Sequence, residues 1–325
     1  MLNKKVLITG GLGFIGSNLA KKCLELGADV EIFSSTLEKE ININDFRSRL
    51  KVTLGDITNY GDVKKAVVEK DFIFHLAGQT SHLVAMENPY LDIDANLVGT
   101  INVLEACRKL NKGAKILGIG TISQVGLSEK ESKEGLKDDP VEIYSANKLI
   151  TEKYFQIYNN SYGVKSCFLR LSTVYGQRQR LDNAKRGITN YFIGRLFRGE
   201  DITVYGKGDF IREYLHIDDV VDALILAAVK DVEGVFVLGG DRMKFIEMAS
   251  KCVEVFREIT GKEGKMKFVE FPEYEKKIDA GNNYVNCLKA KEVLGWYPKT
   301  RFEQGIKKTI NYYLKENKLE GYLKC

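Results

Sequence analysis

Val6-Leu7-Ile8-Thr9-Gly10-Gly11-Leu12-Gly13-Phe14-Ile15-Gly16-Ser17-Asn18-Leu19-Ala20 decides the fold of this 325-residue chain. Val6, Leu7 and Ile8 form a short apolar run, β-branched at both ends, which suits a buried parallel strand. Gly10, Gly13 and Gly16 follow in GxxGxxG spacing, and Ile15, Leu19, Cys23 and Leu26 then recur at helical spacing. Gly27 is placed to stop that helix. Strand, glycine turn and helix together make a dinucleotide site. The first glycine lets the chain turn, the second lets the backbone approach a pyrophosphate, and the third packs helix on strand. The helix N-terminus offers unpaired N–H groups to the phosphates.

Outward from this unit, apolar runs alternate with helical patterns. Strands are expected at Val30–Phe33, Val52–Leu54, Phe72–Leu76, Lys115–Ile119 and Cys167–Leu169, and helices over 62–70, 90–110 and 143–161. This alternation predicts an α/β fold with a doubly wound parallel sheet of Rossmann type, with ligands at the carboxyl edge of the strands. The pattern loosens after Gly176. Residues 177–187 read as a polar, basic loop, followed by a helix to about Arg198, a strand at Thr203–Tyr205, and helices over 218–229, 245–260 and 302–316. The expected division is a dinucleotide-binding domain over 1–176, with a return segment near 213–238, and a smaller mixed α/β substrate-binding domain over most of 177–325.

Composition narrows the function. With 44% hydrophobic and 29% charged residues, the chain is ordinary globular material. The net charge of +5 is modest and spread along the sequence, which fits an anionic small molecule and not a nucleic acid. Six cysteines without a CxxC pair fit reduced thiols in a cytoplasm, and Cys325, the last residue, makes no prenylation box. Lys4-Lys5 before the uncharged run Val6 to Ala20 imitates a signal peptide, but its four glycines argue against one. No stretch has the length to span a membrane, and no metal site is expected.

Tyr144-Ser-Ala-Asn-Lys148 opens the 143–161 helix, and residues four apart share a face. Tyrosine, with a pKa of about 10, is a poor base at neutral pH. An ammonium about 4 Å away contributes on the order of 4 kcal/mol, or about three pKa units. The spacing therefore predicts a phenol poised for proton transfer near pH 7. Thr121-Ile122-Ser123 follows the fifth strand, where a hydroxyl can hold a substrate oxygen.

At this point the chain resembles the extended short-chain dehydrogenase/reductase group, in its nucleotide-sugar epimerase/dehydratase family. The resemblance is carried by Thr9 to Ser17, Gly55-Asp56-Ile57, His75-Leu-Ala-Gly-Gln79, Asn96 to Ala106, Tyr144 to Lys148, Arg170 to Gly176, Tyr205 to Asp219 and Leu294 to Pro298. It implies that Tyr144 is the acid/base, Lys148 binds the nicotinamide ribose and Thr121 is the assisting hydroxyl. It further implies cofactor contacts from Gly10, Gly13, Phe14, Ile15, Gly16, Ser34, Asp56, Ile57, Leu76, Ala77, Gly78, Gln79, Asn96 and Leu171. Substrate contacts are implied for Thr80, Ser81, His82, Thr121, Ser123, Thr173 and Arg212, with Arg212 at the diphosphate.

Departures from the family pattern are informative. Ile122 and Ser123 stand where its dehydratases carry acids, which argues against a 4,6-dehydratase. Thr173 replaces an asparagine, and Gln124-Val125 replaces a valine-tyrosine pair. Ser34-Ser35-Thr36 stands where an acid usually grips the adenine ribose, while Glu31 lies inside the strand. NAD and NADP both stay open, with Lys39, Arg47 and Arg49 as candidate partners for a 2′-phosphate. The expectation is a cytoplasmic enzyme doing redox chemistry at C4 of a nucleotide-diphosphate hexose. A 4-epimerase comes first, and a 4-ketoreductase or 4-dehydrogenase with exchanging cofactor is the alternative. Intact Tyr144 and Lys148 argue against a catalytically silent sensor. The two long helices carry apolar residues on more than one face, such as Val98, Ile101, Leu104, Ile150, Tyr154 and Ile157, and the resemblance implies that they pair with their symmetry mates as a four-helix bundle in a homodimer.

Overall fold

A computed structural model of the chain describes residues 1–126, 131–273, 281–315 and 319–323. Cys325 lies outside them. Seven strands form one parallel sheet: β1 (Lys5–Thr9), β2 (Asp29–Ser34), β3 (Lys51–Leu54), β4 (Phe72–His75), β5 (Lys115–Thr121), β6 (Ser166–Leu171) and β10 (Gly234–Leu238). Their order is β10-β6-β5-β4-β1-β2-β3. The order reverses between β1 and β4, which opens a crevice at their carboxyl ends where ligands bind in such sheets.

Side chains alternate across each strand, so β1 feeds two cores. Val6 and Ile8 face α1 (Phe14–Glu25) and α8 (Ile217–Val229), packing with Leu19, Cys23, Val220 and Leu224. Leu7 faces the other way, into a cluster with Val63 of α2 (Tyr60–Val67), Val103 and Cys107 of α5 (Gly99–Leu110) and Phe155 of α6 (Ile143–Tyr162). Both faces of the sheet are thus covered, and the sheet is doubly wound.

A separate apolar cluster lies in the second half of the chain. It joins Phe192 and Ile193 of α7 (Ile188–Phe197), Met248 and Phe256 of α9 (Phe245–Thr260), and Phe302 and Ile306 of α10 (Phe302–Leu314). Two small sheets border it: β7 (Thr173–Tyr175), β9 (Ile211–His216) and β11 (Asp241–Lys244) in one, β8 (Ile202–Tyr205) and β12 (Met266–Val269) in the other.

The helix expected over 90–110 is not uniform. It comprises α4 (Pro89–Asp92), a π-helical turn at Ile93–Val98, and α5. The Asn96 carbonyl in this turn accepts from the hydroxyls of Thr100 (2.6 Å) and Thr151 (3.2 Å). Such turns concentrate at functional sites. Here the turn carries Asn96 and follows Asp92, both buried. The short helix α3 (His82–Glu87) has no counterpart among the sequence expectations.

Candidate active site

The glycine turn has the geometry its spacing requires. Gly10 has φ +67°, and a Cβ there would lie 2.8 Å from the Ala77 nitrogen. A Cβ on Gly16 would lie 2.5 Å from the Gly10 carbonyl oxygen. Gly13 caps α1 without a side-chain hydrogen bond, so the first N–H groups of the helix are left for an anion. Thr9 joins this turn to the end of β4: its hydroxyl accepts from the N–H groups of Leu76 (3.2 Å) and Ala77 (3.1 Å). His75 lies between the hydroxyls of Thr9 and Thr100, 3.0 Å from each. Burial, aided by the Lys148 charge, pushes this imidazole down to about 3, so it is neutral.

The other expected cofactor positions follow from strand ends and helix starts. Phe14 and Ile15 begin α1, and Ser34 ends β2, where its hydroxyl donates to the Thr36 carbonyl (2.9 Å). Exposed Asp56 accepts from the Thr58 N–H (2.8 Å), and buried Ile57 underlies Gly99. Leu171 ends β6 opposite Thr121. Glu31 lies inside β2, as expected, with its carboxylate on Lys51 and Lys70. Among the candidate phosphate partners, Arg47 is engaged by Glu40 and Arg49 reaches the Leu24 carbonyl. Lys39 is instead crowded by Arg186 and Arg180, and burial together with these cations holds its pKa below the ordinary lysine range.

Tyr144 and Lys148 stand one turn apart on α6, both buried, with the Lys148 Nζ 5.9 Å from the centre of the phenol ring. Burial holds Lys148 down to about 8 against the pull of the Asp92 carboxylate. The same burial, then the charges of Glu142 and Asp92, push the Tyr144 phenol far up. The expected phenol pre-poised near neutrality is therefore corrected. Desolvation of the phenolate dominates, and the ammonium is partly desolvated itself.

The surroundings fit a nicotinamide ribose. Asp92, with no exposed surface, accepts from Asn147 Nδ2 (2.7 Å) and Gln79 Nε2 (2.8 Å). Asn96 Nδ2 donates to the Gln79 carbonyl (3.1 Å), while its Oδ1 is buried without a partner. A Cβ on Gly78 would strike that Oδ1 and lie 3.6 Å from the Lys148 Nζ. An orphan acceptor beside an ammonium, across a glycine that keeps the space open, is the donor–acceptor pattern a sugar hydroxyl satisfies.

Thr121 caps a 3₁₀ turn at Ile122–Val125, accepting from the Ser123 N–H and donating to the Ser123 hydroxyl, both at 3.2 Å. Gln124 anchors this turn. Its Oε1 accepts from the Thr121 N–H (3.1 Å) and its Nε2 donates to Glu152 (3.0 Å). Ile122 is buried in an apolar cluster.

Of the expected substrate residues, Thr80 is exposed and Ser81 caps α3. His82 places Nδ1 2.9 Å from Glu142 and its ring 4.8 Å from that of Tyr144, edge to face. Thr173 sits half-buried on β7 opposite Tyr214. Arg212, on β9, stacks 4.7 Å from the Phe210 ring and donates to the Gly281 carbonyl. Loop 177–187 is docked: buried Arg178 donates to the Asn42 carbonyl (2.9 Å), to Asn18 (3.0 Å) and to Asp45, while Lys185 pairs with Glu87 of α3 (3.3 Å). Asp92, Glu142 and Asn147 are polar residues of this site that the sequence reading missed. The one available signal was a carboxylate two residues before Tyr144, at a helix start.

Residues 6–239 match the model of the NAD dependent epimerase/dehydratase family. The chain belongs to that family. It is an enzyme of this class, similar over almost its full length to several members. A solved structure of UDP-glucose 4-epimerase from Thermotoga maritima, with UDP-glucose, is 30% identical at a TM-score of 0.82, covering 96% of this chain and 99% of that one. UDP-glucose 4-epimerase from Thermus thermophilus, in complex with NAD, is 28% identical at a TM-score of 0.85 with the same coverage. UDP-glucuronic acid decarboxylase 1 of Xenopus tropicalis is 27% identical over 96% of this chain and 73% of its own length. Among the described residues, no helix is long and apolar enough to cross a membrane, and no group of three or more His, Cys, Asp or Glu is placed to hold a metal.

Proposed function

We propose that the enzyme performs NAD(P)-dependent redox chemistry at C4 of a nucleotide-diphosphate hexose, as a 4-epimerase. The observation that carries this reading is the buried Tyr144–Lys148 pair beside the orphan Asn96 Oδ1, at the crevice where the sheet order reverses. The α1 N-terminus and the Leu76–Gln79 loop hold the dinucleotide, and Lys148 with Asn96 grips its nicotinamide ribose. When bound, the nicotinamide ring supplies a reversible hydride acceptor for C4. As the phenolate, the form that Lys148 and an oxidised, positively charged cofactor would favour, Tyr144 takes the 4-hydroxyl proton with Thr121 holding the same oxygen, and returns it after the 4-keto sugar has turned in the site. Thr80, Ser81, His82, Ser123 and Thr173 line the sugar, Arg212 meets the diphosphate, and residues 177–325 supply most of the substrate-binding domain. The decisive experiment is to denature the purified enzyme and identify what it releases. Tightly held NAD supports the epimerase, whereas protein that releases nothing and is filled by NADPH overturns it in favour of the 4-ketoreductase.

One observation favours that second reading. Ser34 offers no carboxylate to the adenine ribose, and Lys39 lies among cations. A carboxylate at the strand end accepts from both ribose hydroxyls and repels a 2′-phosphate. A hydrogen bond to a charged group is worth about 1.5–3 kcal/mol. Wild type is therefore expected to bind NADP at least as well as NAD, and Ser34→Asp to shift preference toward NAD by about ten-fold or more. The ratio of dissociation constants in both proteins checks this. A wild type preferring NAD a hundred-fold, unchanged by the substitution, sinks it.

The outer surface of α4, α5 and α6 exposes Tyr90, Leu91, Val98, Ile150 and Ile157. Leu104 lies on the other face of α5, fully buried in the core. Several large apolar side chains exposed on neighbouring helices are what an interface would cover. The expected state is an isologous homodimer through a four-helix bundle. Light scattering at micromolar concentration should give twice the 36.7 kDa chain mass, and the monomer mass would refute it.

A further inference from the structure

We propose that His82, oriented by Glu142, is a second acid–base group of this site, and that it exchanges a proton at a carbon flanking the C4 carbonyl of the sugar. The Glu142 carboxylate is buried, with 2% of its side chain exposed, and both of its oxygens are engaged. Oε2 accepts from the Tyr144 N–H (2.8 Å), and Oε1 accepts from the Ser145 N–H (2.8 Å) and lies 2.9 Å from His82 Nδ1. Burial raises its pKa, but the hydrogen bond and charge of His82 and the bonds from Ser145 outweigh that and hold it below the ordinary range. An ionised carboxylate only accepts, so Nδ1 of His82 carries the hydrogen, and Nε2 of the neutral imidazole keeps its lone pair. Capping α6 requires only the two backbone N–H groups. The bond to His82 is additional to the cap and spans 60 residues of sequence.

The segment carrying His82 is fixed as firmly as the imidazole. Gln79 accepts from the Ser81 N–H and donates to the Ser81 carbonyl, and its amide is held by Asp92. Asp92 also takes Asn147, the residue before Lys148, so one buried carboxylate ties the His82 loop to the Tyr144 helix. The imidazole stands edge to face with the Tyr144 ring, and 41% of its side chain is exposed, so it is both beside the phenol and open to solvent. A carboxylate that orients an imidazole through Nδ1 leaves Nε2 as a working base.

Chemistry for such a base is present once C4 is a ketone, and here the proposal rests on the C4 reading. The C–H bonds at C3 and C5 are then acidic. His82 Nε2 takes the proton, the C–H electron pair becomes the enolate double bond, and the carbonyl π electrons move to O4. The imidazolium, beside ionised Glu142, exchanges its proton with solvent and returns one to carbon. Nothing is oxidised or reduced. Return to the same face exchanges the hydrogen, and return to the opposite face inverts that carbon.

The test bypasses C4 oxidation by supplying a ready-made 4-keto sugar, UDP-4-keto-6-deoxyglucose, to the holoenzyme in D2O. Mass spectrometry counts the deuterium taken up, and NMR locates it. Wild type is expected to accelerate uptake at C3 or C5 at least ten-fold over buffer. His82→Ala should lose that acceleration and regain it with added imidazole, which a purely structural role would not permit. Glu142→Gln keeps an acceptor for the helix cap and should slow exchange. In the His82→Ala background, imidazole-rescued exchange should be indifferent to Glu142→Gln, because free imidazole needs no positioning residue. No acceleration by wild type, or an undiminished rate in His82→Ala, overturns the proposal. The C4 reading is tested separately by formation of reduced cofactor absorbance with a UDP-hexose, so the two can fail independently.

Discussion

Tyr144→Phe is expected to lower turnover by at least about 100-fold, the usual scale of a lost acid–base group. That factor corresponds to about 2.7 kcal/mol of transition-state stabilisation. The substitution removes one oxygen and keeps the ring, so the packing against His82 and the start of α6 persist. Lys148, Asn96 and the glycine turn are untouched, and the dissociation constant for the dinucleotide should stay within a few-fold of wild type. Because the missing group acts on the reacting oxygen, kcat and kcat/KM should fall together. The buried phenol adds a second expectation. Its pKa is raised in the protein alone, so ultraviolet titration of the cofactor-free enzyme should show no phenolate from Tyr144 near neutral pH. Turnover close to normal in Tyr144→Phe would remove Tyr144 from the mechanism.

What the sequence discloses is what short-range rules control. The Gly10, Gly13 and Gly16 spacing dictates a left-handed turn, an open approach and a close helix contact, and all three occur in the structure. The six expected strands of the main sheet lie where continuous apolar runs put them, because strands covered on both faces leave unambiguous patterns. The pieces that escaped are of two kinds. Short elements such as α3 and β7 carry too few residues for a period to register. Long-range polar links, such as Asp92 to Asn147 over 55 residues and His82 to Glu142 over 60, have no periodicity at all. The misjudged Tyr144 phenol belongs to the second kind. Its i, i+4 neighbour was visible, but the burial that dominates its ionisation comes from elements remote in sequence.

Arg170→Met tests another polar link without periodicity, a clamp of four charged hydrogen bonds. Arg170 lies on β6, just before Leu171. It is 4% exposed on β6, with two carboxylates around its guanidinium. Nε and Nη2 donate to Glu152 (2.6 and 2.8 Å), and Nη1 and Nη2 donate to Asp138 (2.6 and 2.8 Å). Both pairs are bidentate, and they clamp β6 to α6 and to the segment before it. Methionine fills similar space without charge, so its principal effect is to leave Glu152, with 1% of its side chain exposed, as a buried anion that among the described residues keeps hydrogen bonds from Gln124 and Gln156. Breaking a buried pair by removing one partner costs about 3–5 kcal/mol. The urea midpoint should fall accordingly with little change in slope. The double substitution Arg170→Met with Glu152→Met should recover most of that loss, because the stranded charge is gone and Asp138, nearer the surface, can turn to water. A catalytic consequence follows from the same contacts. Gln124 holds the Thr121 N–H on one side and Glu152 on the other, so freeing Glu152 loosens the turn that places the Thr121 hydroxyl. Activity in Arg170→Met should therefore fall even under conditions where the protein is fully folded, and a variant within 1 kcal/mol of wild-type stability would show that the clamp is not what holds this side of the site.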